Sequence, residues 1–212
     1  GSDFWRKTMQ GYVADLVGQY GVDGVYFDFL TNHIGDCYNK EHGHPICGGN
    51  FWPKAVHEFY AEARAVAKKL NPDAMMCGEG VGEYCIDVHD TFFSNGTTGT
   101  KAPLFQAVYH GYTNLYGGIY GKTAPLFVGR WWLMGCQNGW HGGFLAAGEY
   151  YRNLLKCRWY FGTPYLGYGE MLRPPRITGD LAMITGESGY GVMTVPVVEG
   201  SVWKAPDGTV GV

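Results

Sequence analysis

Apolar side chains recur at helical spacing over residues 5–20, at Trp5, Met9, Tyr12, Val13, Leu16, Val17 and Tyr20, and Gly21 breaks the pattern. A short β-branched and aromatic run over 22–28 follows and finishes on Asp28, as a buried parallel strand does. Residues 29–50 carry no periodicity. Helical spacing returns over 52–70 through Val56, Phe59, Tyr60, Ala63, Val66, Ala67 and Leu70, and Asn71-Pro72 closes it. A second apolar run, 74–79, ends on Glu79. The order is helix, strand, loop, helix, strand.

The alternation continues more loosely, with strand-like runs at 91–93, 105–110 and 133–137 and helix-like stretches at 123–132 and 144–160. Strands alternating with helices predict a parallel α/β sheet. A doubly wound nucleotide fold would place a glycine-rich phosphate turn between strand and helix, but Gly78-Glu-Gly-Val-Gly82 has neither a basic partner nor a helical pattern after it. The expected fold class is α/β, the C-terminal part of a (β/α)8 TIM barrel over 1–175. After Pro174-Pro175 the pattern turns to β residues such as Val192, Thr194, Val195 and Val202, so 176–212 reads as the start of a β-sandwich domain. Its last piece, 201–212, reads as a hairpin turning at Asp207-Gly208, and the abrupt ends suggest a piece of a longer protein.

Composition narrows the function classes. A hydrophobic fraction of 46% with 17% charged residues is globular, and a net charge of -3 without a Lys/Arg run argues against a nucleic-acid partner. No apolar stretch is long enough to cross a bilayer. Glycine supplies 34 of 212 residues and aromatics 16%, which points to shaped loops beside flat rings, a surface suited to sugars as well as to a core. Six cysteines without a Cys-x2-Cys pair leave the compartment open, with an extracellular or periplasmic setting slightly favoured.

In a parallel barrel, side chains just past the C-terminal strand ends converge on one mouth, and Asp28 and Glu79 both stand there. Paired carboxylates are what glycosidic cleavage needs: one protonates the leaving oxygen, and the other attacks the anomeric carbon or activates water. Glu83, Asp87 and Asp90 compete for the second role; Glu79 is preferred because it directly follows the apolar run. Substrate contacts are expected from Tyr26, His33, His42, His44, Trp52, Glu83, His110, Gln137 and Trp140. Cys37, His42, His44 and Cys47 could alternatively form a loose zinc site, or Cys37 and Cys47 a disulfide. Hydrogen bonding to sugar hydroxyls is the preferred use of these histidines, so no cofactor or metal is expected, and a homo-oligomer is compatible with the sequence.

The segment Gly21-Val-Asp-Gly-Val-Tyr-Phe-Asp28, the loop with Cys37-Tyr38, His42-Gly-His-Pro45, Gly48-Gly49 and Trp52, then Gly78-Glu79, Glu83-Tyr84 and Asp87, and 103–109, resemble a group of bacterial glycoside-hydrolase-like (β/α)8 barrels. More widely the layout is similar to retaining α-glycosidases of the α-amylase-like and related clans. Their nucleophile is an Asp ending the fourth strand and their acid/base a Glu ending the fifth. The resemblance implies those roles for Asp28 and Glu79, an oligosaccharide or glycoside as substrate, and a glycosidase activity. One departure is Tyr26, where the α-amylase-like pattern has Arg. A carbohydrate-binding barrel without turnover is the alternative, followed by a metal-dependent hydrolase centred on the 37–47 loop.

Overall fold

Ser2 opens the first helix, α1 (Asp3–Gly18), its hydroxyl accepting the Trp5 N–H at 3.3 Å, and Gly21 turns the chain out of it at φ 67°. The computed structural model describes residues 2–31, 35–94, 103–119, 124–141, 148–188 and 191–212. These fall into two units, Gly1–Phe92 and Phe93–Val212.

In the first unit α1 leads to β1 (Gly24–Phe27), then through the irregular segment and one 3-10 turn (Lys40–His42) to α2 (Phe51–Leu70) and β2 (Met75–Glu79). β3 (Thr91–Ser94) follows β2 in the strand order. The two helices and two strands foreseen from periodicity are all present, with ends shifted by one or two residues. β1 and β2 are parallel and in register from Gly24 opposite Met75 to Phe27 opposite Gly78. Side chains alternate across a strand, so the register decides what each face carries. Phe27 meets Phe59 and Tyr60 of α2 edge-on, with ring centroids at 5.1 and 5.5 Å, so Val25, Phe27, Met76 and Gly78 belong to the face under α2. Gly78 is required there: a Cβ would run into the Tyr60 hydroxyl, the Thr31 hydroxyl and the His89 ring. Val13 and Val17 of α1 and Val56, Phe59, Tyr60, Ala63 and Ala67 of α2 complete the core.

His89 sits inside this core, 5% exposed, edge-on to Tyr60 at 3.9 Å and to Phe92 at 4.5 Å. Neither ring nitrogen has a hydrogen-bond partner among the described residues. Burial pushes its pKa down to about 4, and the nearby Asp90 and Asp87 carboxylates only partly oppose this.

In the second unit the residues run α3 (Leu104–Tyr109), β4 (Asn114–Ile119), α4 (Ala124–Leu133), β5 (Gln137–His141), α5 (Gly148–Cys157) and a wide π-helical segment, Arg158–Gly167, that accommodates Pro164. β4 and β5 are parallel. Two expectations are corrected here. The run 105–110 is helical rather than a strand: Gln106 is fully buried, Ala107 and Val108 are exposed, and the rings of Phe105 and Tyr109 meet at 5.0 Å, as i and i+4 do on a helix. The apolar run 133–137 is likewise the end of α4, closed at Gly135 with φ 76°, and the strand begins at Gln137. β4 went unforeseen because its Asn, Gly and Gly residues hide the strand pattern.

β residues dominate the end of the chain as expected. β6 (Glu170–Leu172), β9 (Val202–Lys204) and β10 (Val210–Gly211) form an antiparallel sheet in the order β10-β9-β6, and β7 (Met183–Ser188) pairs with β8 (Gly191–Pro196). The foreseen hairpin turns at Gly208, φ 88°, with the Asp207 carboxylate accepting from the Thr209 N–H and hydroxyl at 2.9 and 2.6 Å. The fold is thus mixed α/β, with parallel strand pairs and small antiparallel sheets; a closed eightfold barrel and a two-sheet sandwich go beyond what the described strands show. Among the described residues no helix is long and apolar enough to cross a membrane.

Phe59 is 1% exposed between Trp5, Phe27 and Tyr60, so Phe59→Ala should cost about 3–5 kcal/mol in urea unfolding monitored on the first unit. His89 makes a separate prediction. Its folded pKa of about 4 lies below the ordinary histidine value of 6.5, so the unfolded chain binds the extra proton. Its contribution is therefore complete above about pH 6.5 and is lost as pH falls toward 4, at up to about 1.4 kcal/mol per pH unit. Denaturant titrations over that range should show a shallower slope for His89→Phe than for the wild type.

Candidate functional site

The β1–β2 pairing ends at Phe27 opposite Gly78, so Asp28 directly follows β1 where Glu79 closes β2. Both therefore belong to the series Tyr26, Asp28 and Cys77, Glu79, on the face opposite the one α2 covers. Tyr26 supports the placement, since its hydroxyl donates to Asp28 Oδ1 at 3.2 Å. The two acids differ in setting: Asp28 is exposed, whereas Glu79 is 6% exposed. Glu79 Oε2 accepts the Phe29 N–H at 3.1 Å, and Phe29 holds a left-handed φ of 55° that bulky residues rarely adopt. The Glu79 carboxylate thus clamps the turn just after Asp28 and ties the two strand ends together.

Phe29 is 59% exposed and adjoins both acids, so it presents a flat apolar face beside them. Sequence reasoning missed it. The Phe27-Asp28-Phe29 triplet looks like two core aromatics flanking an acid, and only the left-handed turn sends the second ring outward.

Asp87 and Asp90, two competitors of Glu79, each hold a partner elsewhere. Asp87 accepts from His57 Nε2 of α2 at 2.9 Å, and that hydrogen bond holds its carboxyl below the usual range. Asp90 accepts the Met76 N–H at 2.8 Å and pairs with Arg64 at 3.1 Å, which puts it at the start of β2 rather than at its end. Glu83 is exposed in the 3-10 turn Glu83–Cys85 that follows β2. Its neighbour Tyr84 donates to the Thr31 carbonyl at 2.7 Å, tying that turn to the loop after β1. Burial pushes the Tyr84 hydroxyl up to about 12, so it remains a donor at all physiological pH values.

A second group of expected residues lies in a cleft of about 590 Å³ at the N-terminal ends of α1 and α2. His42, His44 and Trp52 line it together with Trp5, Arg6 and Phe51. The Trp52 indole N–H is buried and has no hydrogen-bond partner among the described residues. Neither Asp28 nor Glu79 is among the described residues of this lining, so the structure separates the cleft histidines from the carboxylates. The loop 29–52 supplies the rim through Leu30, Cys37, His42, His44, Phe51 and Trp52. Cys37 and Cys47 are both free thiols in the structure, with Cys47 donating to the Tyr38 hydroxyl at 3.1 Å.

The remaining expected contacts lie in the second unit or outside the described residues. His110 is 8% exposed; its Nδ1 lies 3.0 Å from the Gly169 carbonyl, its Nε2 3.0 Å from that of Leu166, and its ring tilts against Trp203 at 4.6 Å. It follows a helix, so it does not stand at a strand end. Gln137 is exposed and opens β5 instead of closing it, because Gly135 delays the strand. Trp140 lies within β5 with its side chain outside the described residues, as is the whole of His33.

A protein of Monosiga brevicollis named "Putative glycoside hydrolase 22789" is 27% identical over 219 residues, covering 82% of this chain and 18% of its own length. A Bacteroides thetaiotaomicron protein named "Putative glycoside hydrolase" is 30% identical over 150 residues, covering 66% of this chain and 22% of its own. The chain spans less than a quarter of the length of these curated relatives. The family described as "Domain of unknown function (DUF6259)" matches residues 1–120, the stretch that holds β1, β2, both carboxylates and the whole cleft rim. With more than half of its 212 residues matched, the chain belongs to the DUF6259 family.

Proposed function

We propose that this chain carries the catalytic carboxylates of a glycoside hydrolase, with Asp28 as nucleophile and Glu79 as acid/base, acting on an oligosaccharide or glycoside. The observation that supports this reading is the parallel register of β1 and β2, which ends at Phe27 opposite Gly78, one residue before Asp28 and Glu79. A carboxylate separation of ~5–5.5 Å would make the pair retaining and ~6.5–9.5 Å inverting; the resemblance to retaining α-glycosidases favours the first. Two curated relatives named as glycoside hydrolases support the same class.

The chemistry follows from the two settings. Asp28, exposed and oriented by the Tyr26 hydroxyl, is free to approach an anomeric carbon. Glu79, buried at the end of β2, is the group that would give its proton to the leaving oxygen. After the leaving group departs, the same carboxylate takes a proton from water that releases the sugar from Asp28. Phe29 offers its ring to the C–H face of a sugar, and Glu83 offers a carboxylate to hydroxyls from the turn after β2. In the larger architecture, residues 1–175 are the C-terminal portion of a (β/α)8 barrel and 176–212 begin an all-β domain.

The test is a glycan screen with the full-length protein, followed by trapping with a fluorinated sugar and peptide mapping. The label should fall on Asp28; label on another residue refutes the assignment. Glu79→Gln keeps an oxygen to accept the Phe29 N–H but cannot exchange a proton, so it should lower kcat/KM by roughly 10²–10⁴-fold with the far-UV spectrum unchanged. Replacing Asp28 by Asn should abolish turnover while leaving sugar binding measurable by calorimetry.

A further inference from the structure

The segment 35–50, ahead of α2, is irregular apart from one 3-10 turn. Its backbone turns through left-handed positions at Gly43, Cys47, Gly48 and Gly49, and the Cys47 N–H donates to the Cys37 carbonyl at 3.1 Å. Hydrophobic packing does little to hold it, because the 3-10 turn buries nothing and the large apolar residues Tyr38 and Ile46 are 65% and 48% exposed. Something other than a core must keep these turns in place.

Three side chains converge inside this fold. One ligand atom each from Cys37, His42 and His44 lies within 4.8 Å of the other two, and Cys37 Sγ stands 3.3 Å from His42 Nδ1. Bond lengths of about 2.3 Å to sulfur and 2.0–2.1 Å to nitrogen place two ligands of a tetrahedral ion on the order of 3.5 Å apart, so a modest contraction brings this set to that geometry. The rings are already oriented. His44 Nδ1–H donates to the Pro45 carbonyl at 2.8 Å, leaving Nε2 as its electron-pair donor, and the ring stacks flat on Phe51 at 3.9 Å. Asn39 Nδ2–H donates to His42 Nε2 at 3.0 Å, while its oxygen caps the 3-10 turn by accepting the Glu41 N–H at 2.8 Å. The His42 ring proton therefore lies on Nδ1 toward Cys37 Sγ, and an ion taken at Nδ1 displaces it and turns the Asn39 amide. His44, whose other nitrogen donates to a carbonyl, already has the usual construction of a metal-site histidine.

We infer that Cys37, His42 and His44 bind a zinc-class divalent cation that clasps the 35–50 segment and turns its fourth position toward the cleft. The donor set of one thiolate and two imidazoles selects such an ion over calcium or magnesium, which take oxygen ligands. All three ligands line the cleft beside Trp52 and Arg6, so the fourth position is open to water or to a ligand entering there. Cys47 turns its sulfur to Tyr38 and is not part of the set. Spacing alone groups Cys37, His42, His44 and Cys47; the geometry brings three of them together.

The experiment uses the full-length protein without a histidine tag, purified under reducing conditions, dialysed against zinc and then against buffer alone. Elemental analysis should find one zinc per chain, and cobalt substitution should give a thiolate-to-cobalt charge-transfer band. Cys37→Ser should remove that band, His42→Ala and His44→Ala should each weaken zinc at least about tenfold, and Cys47→Ser should leave binding intact, with circular dichroism confirming that each variant folds. Limited proteolysis within 35–50 should be faster after chelation. No retained zinc, an unchanged band in Cys37→Ser, loss of binding in Cys47→Ser, or a Cys37–Cys47 disulfide in the native protein overturns the inference. These readouts are independent of the glycosidase reading, since the Asp28→Asn protein should bind zinc like the wild type.

Discussion

Phe27 pressed edge-on against Phe59 and Tyr60 of α2 is the contact on which the rest of the first unit depends. Because side chains alternate along a strand, pinning Phe27 under the helix turns Tyr26 and Asp28 to the other face. The parallel pairing then transfers the same choice to β2, where Gly78 goes under α2 and Glu79 away from it. A slip of one residue would send both carboxylates into the apolar layer and the aromatic ring out of it. The bulk of Phe59 and Tyr60 and the bare backbone of Gly78 leave no room for that alternative.

The clamp between Glu79 and Phe29 sits directly on this arrangement. A buried carboxylate needs a donor, and a left-handed Phe needs something to hold it. Each supplies what the other lacks. Glu79 is thus both a structural anchor of the turn and the proposed acid/base. The same element order also separates functions along α2. Its N-terminal turn faces the cleft and the Cys37, His42, His44 cluster, while His57 and Arg64 engage Asp87 and Asp90.

How far the sequence could be read varied with the kind of signal. Helices α1 and α2 were legible because their apolar positions repeat for three turns or more, and β1 and β2 because each is a short apolar run ending on an acid. α3 was misread since a six-residue helix beginning after Pro103 shows too little periodicity to be told from a strand. β5 was placed early because the apolar end of α4 runs straight into it, and β4 was hidden by its glycines. Those two shifts took His110 and Gln137 away from the strand ends where they were expected.

The sequence by itself determined that Asp28 and Glu79 would close successive strands, because hydrophobic runs, turn residues and helix lengths are local properties and are written locally. It also marked the 37–47 loop as chemically unusual through its cysteines and histidines. Tertiary structure alone decided which acids share a face, that Asp87 and Asp90 serve α2 and the start of β2, that Phe29 turns outward, and that Cys47 stands apart from Cys37, His42 and His44. Those outcomes rest on pairing register, on which face a helix covers, and on left-handed turns. Each is set by contacts between residues tens of positions apart, or by backbone angles that no residue type in the loop dictates on its own.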